Sequence, residues 1–409
     1  MRLFLHIRSS LSRHVGKRRL ASLALALSLA PGITLASSEG IQFSCDQSLS
    51  AAIRLGMTRY LQELGIPDRL YRVTTDTTSG QITYTLASPE GDHSTLDFHE
   101  RAGYDVGEET LSLPQLGRPD IQVRTVSRKE IALALMQRGR LTVFSAAACD
   151  VQALKDQVEL RQTIVAWTEH LHWVWPDGGA ASWNKRYWHD GTPWRHKPLQ
   201  EALLDAFTHQ RQYAIGCYTA TKLVLLQGVT DYYHRVRANA NLSTMVLRRV
   251  WQDGDPLVNI EPGDMWFFEE DFDPREQGRP GKLMKIQYNV APRNFVPGDW
   301  AYIVNTDANT HHKTGYEGSN ALYLGRNRFD DYYDDHHHAY SYEEKLGEVY
   351  QWRHGVFSRS RDAARIQPLS ASDFERLGLR PAQGGLVKGY RVVPFQFGYE
   401  ALPAIPVGH

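Results

Sequence analysis

The residue best suited to covalent chemistry in this chain is Cys217, one of only three cysteines among 409 residues. It lies in RQYAIGCYTATKLVLLQG, residues 211–228, where a glycine precedes it and small and apolar residues follow it. The apolar spacing predicts a helix over residues 216–234 that begins beside the thiol. Because a helix N-terminus carries partial positive charge, this position favours the thiolate, the nucleophilic form of cysteine. A cysteine at the start of an apolar helix is also a common core residue, so both interpretations stay open.

A thiol nucleophile needs a base and a group that orients the base. The segment GYEGSNALYLGRNRFDDYYDDHHHAY, residues 315–340, predicts a strand, a turn and a second strand. This hairpin would bring Glu317 and Ser319 opposite the stretch from Asp330 to His338. A cysteine-bearing helix packed on a strand with histidine is the arrangement of papain-like enzymes. The alternative is a solvated loop or adventitious metal patch formed by His336, His337 and His338.

The N-terminus has the composition of a secretory signal peptide, residues 1–36. Its first part is basic and contains no acid, and an apolar run broken by Pro31 and Gly32 follows. Thr34 and Ala36 suit a signal-peptidase site, so we expect cleavage after Ala36. The apolar run is short for a membrane span, and a retained anchor is the alternative. We therefore expect an exported protein, periplasmic or secreted, without a stable membrane anchor after cleavage.

Charge and cysteine content narrow the possible partners further. The whole chain holds 46 basic and 46 acidic residues, and residues 1–36 hold six of the basic ones and no acid. Cleavage would leave an acidic protein, which is a poor binder of nucleic acid because phosphate contacts need a basic surface. In an oxidising compartment we expect Cys45 and Cys149 to form a disulfide and Cys217 to stay free. The alternative is three buried thiols.

Hydrophobic periodicity predicts both helices and strands, and hence an α+β fold. A hairpin is expected within residues 70–99, and a Trp-rich loop over residues 173–198. The predicted helices are 46–65, 128–140, 150–172, 199–208 and 216–234. The predicted strands are 263–270, 282–290, 299–305, 319–325 and 348–357. This order predicts an N-terminal α+β region of unknown role, residues 37–172, followed by a domain over residues 173–409.

Several sequence blocks resemble the small bacterial transglutaminases of spore coats, which are protein-glutamine γ-glutamyltransferases with a papain-like core related to NlpC/P60 proteins. The blocks occur in the same order as in that family and span roughly residues 180–345. Each is a short motif, and the ordered set is the specific feature. They are WNKRYW (183–188), WRHKP (194–198), ALLDAFTHQRQYAIGCYTATKLVLLQG (202–228), PGDWAYIVN (297–305) and YEGSNALYLG (316–325).

The resemblance implies a papain-like core in which the helix of Cys217 packs on an antiparallel sheet. It implies Cys217 as the nucleophile and a histidine as its base, here His336 with His337 and His338 as alternatives. The glutamate of the family's Gly-Glu-Asn motif falls on Ser319, so Glu317, two residues earlier on the same face of the strand, would orient the base instead. The implied partners are proteins with accessible Gln and Lys side chains, without a cofactor or a metal.

The implied reaction is isopeptide cross-linking through a Cys217 thioester. Five tryptophans would either wall this site against water or serve ordinary packing: Trp173, Trp175, Trp183, Trp188 and Trp194. Two other functions remain possible at this point. Water could attack the thioester, which would give a glutamine deamidase or a hydrolase of cell-wall peptides. The substitution at Ser319 could also indicate a non-catalytic binding module on the same scaffold.

Overall fold

The structure is a computed structural model, and it describes residues 39–76, 78–253, 284–333, 339–357, 362–388 and 391–400. Its contacts divide the chain into two units, Met1–Ala36 and Ser37–His409. The first unit lies outside the described residues, so the signal peptide and its cleavage after Ala36 stay predictions. Within the described ranges, no helix is both long and apolar enough to span a bilayer.

The helices begin at side chains that satisfy otherwise free backbone N–H groups. Asp150 caps one helix by accepting a hydrogen bond from Gln152 N, and Ser341 forms a capping box with Glu344 at another. The α-helices of the described residues are α1 (Ser50–Glu63), α2 (Arg128–Met136), α3 (Val151–Glu169), α4 (Leu199–Thr208), α5 (Cys217–Asp231), α6 (Ala240–Asp253), α7 (Tyr342–Gln351) and α8 (Ala371–Leu377).

The strands form two main sheets, and the second one contacts the cysteine-bearing helix. In chain order they are β1 (Gly40–Ser44), β2 (Tyr71–Asp76), β3 (Gln81–Leu86), β4 (Glu108–Gln115), β5 (Arg118–Val126), β6 (Leu141–Ser145), β7 (Trp188–His189), β8 (Thr192–Pro193), β9 (Met284–Gln287), β10 (Trp300–Val304), β11 (Gly318–Gly325), β12 (Arg328–Asp330) and β13 (Arg391–Pro394).

The first sheet has the order β2-β3-β1-β6, with β1 antiparallel to β3 and parallel to β6. The second has the order β12-β11-β10-β13-β9 and is antiparallel throughout. β4 and β5 form a separate hairpin, and so do the short strands β7 and β8. Helix α5 contacts both β11 and α3, so the second sheet and α3 together hold the helix that carries Cys217.

Helix α5 is buried along its whole length except at its first residue. Every residue from Tyr218 to Asp231 is buried, whereas Cys217 is partly exposed. Gly228 lets α5 approach α3 closely, since a Cβ at that position would lie 2.5 Å from Ile164 Cγ1. The burial anchors the helix, and Cys217 is its one residue that is not fully buried.

A buried ion cluster joins the N-terminal elements to the second sheet. Asp299, directly before β10, accepts a hydrogen bond from Arg161 of α3 at 2.9 Å and pairs with Arg140, which precedes β6. All three side chains are at most 2% exposed. Such a cluster is costly to break, because the loss of one partner leaves a buried charge uncompensated. The domain boundary expected between residues 172 and 173 stays a prediction.

The α+β class is confirmed, and so are all five expected helices. Leu199–Thr208 has the predicted bounds, and the hairpin is formed by β2 and β3. The strand expected at residues 348–357 is wrong, because α7 and a 3₁₀ turn at Trp352–His354 occupy it. The strand expected at residues 263–270 lies outside the described residues. The sequence did not predict β1, the β4–β5 hairpin, β6 or β13.

The predicted pairing of the cysteines is confirmed. Cys45 and Cys149 form a disulfide with a Cα–Cα distance of 5.6 Å. All three cysteines lie in described residues, and Cys217 is the free one. Any thiol chemistry of the oxidised protein therefore belongs to Cys217.

Candidate active site

Cys217 is the first residue of α5, and Gly216 before it has the extended backbone of an N-cap, with φ −68° and ψ 154°. Thr221, one turn further along, donates a hydrogen bond from Oγ1 to the Cys217 carbonyl at 2.8 Å. Its hydroxyl also shares a hydrogen bond with Tyr332 Oη at 2.7 Å. The first turn of the helix is thus tied to the segment that follows β12.

The thiol has a direct side-chain partner on the neighbouring strand. Asn320 of β11 donates a hydrogen bond from Nδ2 to Cys217 Sγ at 3.3 Å. Trp300 of β10 donates from Nε1 to Asn320 Oδ1 at 2.8 Å, which fixes the amide so that its NH₂ group faces the sulfur. Asn320 is 4% exposed, so the contact is shielded from solvent.

Burial raises the pKa of the Cys217 thiol above its ordinary value, and the hydrogen bond from Asn320 opposes that increase. The carboxylate of Asp331 raises the pKa further, whereas the ammonium of Lys345 lowers it. The helix N-terminus predicted a lowered pKa. Desolvation outweighs that effect, so the thiol needs a base to form the thiolate near neutral pH.

A small pocket that opens to solvent includes Cys217 in its wall. Its other lining residues come mainly from β11 and the turn before it, from the residues after β12, and from α7 and the turn after it. Its described lining residues are Trp175, Cys217, Gly315, Gly318, Ser319, Asp331, Tyr333, Lys345, Glu348 and Trp352. The thiol thus shares this pocket with three aromatic residues and a charged cluster.

The charged cluster is a buried lysine between two carboxylates. Lys345 Nζ donates to Glu348 Oε2 at 2.7 Å and to Asp331 Oδ2. The Lys345 side chain is 1% exposed. Burial and the nearby Glu348 carboxylate raise the pKa of Asp331 to about 7, against the opposing effect of Lys345. Both carboxylates raise the pKa of Lys345 well above its usual value, so the lysine stays charged.

The structure brings Cys217 and Ser319, two of the residues singled out in the sequence, to the same pocket. Glu317 lies just before β11, where its carbonyl accepts a hydrogen bond from Asn305 N at 2.9 Å, and it is not among the described lining residues. The other three candidates lie outside the described residues: His336, His337 and His338.

Of the five tryptophans that could wall the site against water, one lines the pocket among the described residues. Trp175 lines the pocket and packs on Tyr333 with a ring-centroid distance of 5.0 Å. The others are not described lining residues, and three of them are buried in ordinary packing: Trp173, Trp183 and Trp188. Trp194 is 36% exposed. Among the described residues, no group of three or more side chains is arranged to hold a metal ion.

Sequence reasoning missed five residues of the site: Asn320, Asp331, Lys345, Glu348 and Trp352. Asn320 could have been predicted, because it belongs to the block YEGSNALYLG that carries the family resemblance. Glu348 and Trp352 were missed because residues 348–357 were predicted as a strand, and Lys345 was missed because the helix that carries it was not predicted, although Ser341 and Glu344 have the spacing of a helix-initiating capping box.

Three comparisons with known proteins place this geometry in context. The family model described as protein-glutamine gamma-glutamyltransferase matches residues 121–336. None of the curated proteins matches the chain. Among solved structures, the transglutaminase from Geobacillus stearothermophilus, without its C-terminal extension, is similar over 60% of this chain and 94% of that one, with 16% identity and a TM-score of 0.38. The family match includes Cys217 and Asn320 and covers more than half of the 409 residues, and this chain therefore belongs to the protein-glutamine gamma-glutamyltransferase family.

Proposed function

We propose that the protein is a transglutaminase whose nucleophile is Cys217. The observation that carries this proposal is the placement of the thiol: it lies at the N-terminus of a buried helix, in an open pocket, with Asn320 donating to Sγ at 3.3 Å. A structural cysteine would need neither the pocket nor the donor. Family membership supports an acyl transfer between protein side chains.

In the proposed reaction, Cys217 Sγ attacks the carboxamide carbon of a glutamine side chain in a substrate protein. A base removes the thiol proton, the C–S bond forms, and the carbonyl electron pair moves to oxygen. Backbone N–H groups at the start of α5 are placed to stabilise that oxyanion. The intermediate collapses to a thioester, and ammonia leaves with the proton taken from the thiol. A lysine amine then attacks the thioester carbon, the C–S bond breaks, and the Cys217 thiolate leaves and regains the proton that the amine loses, which yields the isopeptide bond and the free thiol.

We assign the base to His336, with His337 and His338 as alternatives, and its orientation to Glu317. The raised pKa of Cys217 supports the need for such a base. The papain-like arrangement belongs to the same proposal, and it is supported by the contact of α5 with the antiparallel strand β11. Export after cleavage at Ala36 is proposed as well, and the Cys45–Cys149 disulfide supports it because such bonds persist in oxidising compartments.

The test uses protein that begins at Ser37, a glutamine-containing acceptor protein and a fluorescent primary amine. We expect amine incorporation by the wild-type protein and none by Cys217→Ala. His336→Ala should also lose activity, whereas its matched neighbours His337→Ala and His338→Ala should keep it. Incorporation by Cys217→Ala at the wild-type rate would refute the proposed nucleophile.

Ammonia release measured in the same reactions separates the remaining functions. Cys217-dependent ammonia release without amine incorporation would mean that water is the acceptor, as in a deamidase or a cell-wall peptide hydrolase. A folded wild-type protein that produces neither product would instead be a binding module.

A further inference from the structure

Two residues that line the Cys217 pocket each carry a buried polar atom without a hydrogen-bond partner among the described residues: Asp331 Oδ1 and Trp352 Nε1. Asp331 is 7% exposed and Trp352 is 3% exposed. A buried polar group without a partner costs about 1–3 kcal/mol. Because both residues line one pocket beside the thiol, a bound group or an ordered water that reaches the two atoms there would complete their hydrogen bonding.

The two atoms have opposite hydrogen-bonding character. The indole Nε1–H of Trp352 can only donate, whereas Asp331 Oδ1 is an acceptor. Lys345 holds the other oxygen of the same carboxylate, Oδ2, which leaves Oδ1 for a ligand. The Trp352 ring is fixed edge-on to Tyr316, with centroids 5.1 Å apart and planes at 88°. Both atoms are thus held in place before a ligand arrives.

We propose that Trp352 and Asp331 form the subsite that recognises the primary carboxamide of the acyl donor. The indole N–H donates to the carboxamide oxygen, and Asp331 Oδ1 accepts from the carboxamide NH₂ group. A carboxamide supplies one acceptor and two donors on a single small group, which matches this pair. The inference deepens the proposed function, on which it rests, by naming the residues that select the substrate group.

The subsite distinguishes glutamine from glutamate by charge as well as by hydrogen bonding. A carboxylate cannot donate to Asp331 and, at pH 8, where Asp331 is mostly ionised, is repelled by its negative charge. When the thiol attacks, the carboxamide oxygen gains charge and its contact with the Trp352 N–H strengthens. Trp352 lies beyond residues 121–336, the part that the family model matches.

The test is alkylation of Cys217, which requires no turnover, and Cys217 is the free cysteine of the disulfide-bonded protein. Iodoacetamide carries a primary carboxamide, and iodoacetate carries a carboxylate. The rates of both reactions are divided by the rate with methyl methanethiosulfonate, a small neutral reagent, which corrects for differences in the reactivity of the thiol itself. We expect the wild-type protein to prefer iodoacetamide over iodoacetate about tenfold more strongly than glutathione does, since one hydrogen bond and one charge repulsion separate the two reagents.

Two variants assign this preference to the subsite. Trp352→Phe removes only the N–H and should slow the normalised iodoacetamide reaction about three- to tenfold, the effect of one hydrogen bond. The matched control is Trp183→Phe, because Trp183 Nε1 is also buried without a described partner but does not line the pocket. Its rates should equal those of the wild-type protein. Asp331→Asn removes the charge and should accelerate the iodoacetate reaction after normalisation to methyl methanethiosulfonate, which corrects for the effect of Asp331 on the pKa of Cys217.

The proposal is wrong if folded Trp352→Phe keeps the wild-type preference, or if Trp183→Phe loses it equally. If Trp352→Phe does not fold, an unchanged normalised iodoacetate rate in Asp331→Asn overturns it. The proposed function can fail while the subsite stands. In that case the protein incorporates no amine but keeps a preference for iodoacetamide that depends on Trp352, and the carboxamide-binding site would serve a deamidase. Amine incorporation without the preference would keep the transglutaminase and remove the subsite.

Discussion

Asn320 Nδ2 lies 3.3 Å from Cys217 Sγ and donates a hydrogen bond to it. The contact joins the first residue of α5 to β11, and Trp300 holds the amide in its orientation. It also provides a donor that strengthens as the sulfur gains negative charge, because hydrogen bonds to ionised groups exceed those to neutral ones. Asn320 is therefore a positioning residue for the thiolate.

Replacement of Asn320 by Leu should raise the pKa of the Cys217 thiol further. A hydrogen bond to a charged group is worth about 1.5–3 kcal/mol, so its loss should move the midpoint of the Cys217 rate profile to higher pH. The measurement is the rate of Cys217 modification by methyl methanethiosulfonate as a function of pH.

The Asn320→Leu substitution also removes the acceptor of Trp300. Trp300→Phe serves as the control because it removes the same Trp300–Asn320 hydrogen bond and leaves the contact with the sulfur. Its midpoint should move much less. Equal midpoints for the wild-type protein and Asn320→Leu would show that the contact does not stabilise the thiolate.

Lys345→Met should destabilise the protein by about 3–5 kcal/mol at pH 8, because it leaves two buried carboxylates without their shared cation. The loss should be smaller at pH 5, because burial raises the pKa of Asp331 to about 7 and this carboxylate can take up a proton there instead. The free energy of unfolding in urea at both pH values measures this difference.

Two further variants delimit that effect. The combination Lys345→Met, Asp331→Asn and Glu348→Gln should recover most of the stability. Lys155→Met breaks an exposed pair with Glu63 and should cost less than about 1 kcal/mol. A loss for Lys345→Met that is the same at pH 5 and pH 8 would contradict the assignment to buried charge.

Glu130→Gln should stabilise the protein at pH 8 and leave it unchanged at pH 4. Burial raises the pKa of Glu130 in the folded protein to about 7, from an ordinary 4.5. The folded state then holds the proton more tightly, so this contribution is complete below about pH 4.5 and is lost as the pH rises through 7. The gain at pH 8 is at most about 3 kcal/mol. Thermal unfolding against pH measures it, and the exposed Glu90→Gln is the control. A destabilised Glu130→Gln at pH 8 would refute the prediction.

Gly228→Ala should destabilise the contact between α5 and α3. The added Cβ would lie 2.5 Å from Ile164 Cγ1 and 2.9 Å from Ile164 Cα. Overpacking of this kind costs about 1–3 kcal/mol, which exceeds the gain in helix propensity. Gly107→Ala adds a Cβ with nothing within 4 Å, and its urea midpoint should match that of the wild-type protein. Equal midpoints for Gly228→Ala would mean that the helices have room to separate.

Local signals predicted the helices well, since a period of three to four apolar residues and a capping side chain are both visible in the sequence. Leu199–Thr208 is the best case. The strand predicted over residues 348–357 is wrong. The run is rich in aromatic residues, which favour strands, and the capping box that begins α7 lies before it. Tertiary context decided the outcome there.

Among the residues of the site, Cys217 was the one that the sequence predicted most directly. Cys217 stands out by its type and by the helix that follows it. Asp331 and Trp352 become site residues only when β12 and α7 are folded against β11, and no spacing in the sequence encodes that contact. The same holds for Lys345, whose burial between two carboxylates depends on packing.

The disulfide has a consequence for how the protein is made. Cys149 is closer along the chain to Cys217 than to Cys45, so in an unfolded chain loop closure favours the incorrect pair. That pair would block the thiol on which activity is proposed to depend. Pairing of β1 with β6 brings Cys45 to Cys149, and the order in which these strands and the helix of Cys217 form decides what fraction of newly made chains carries an accessible thiol.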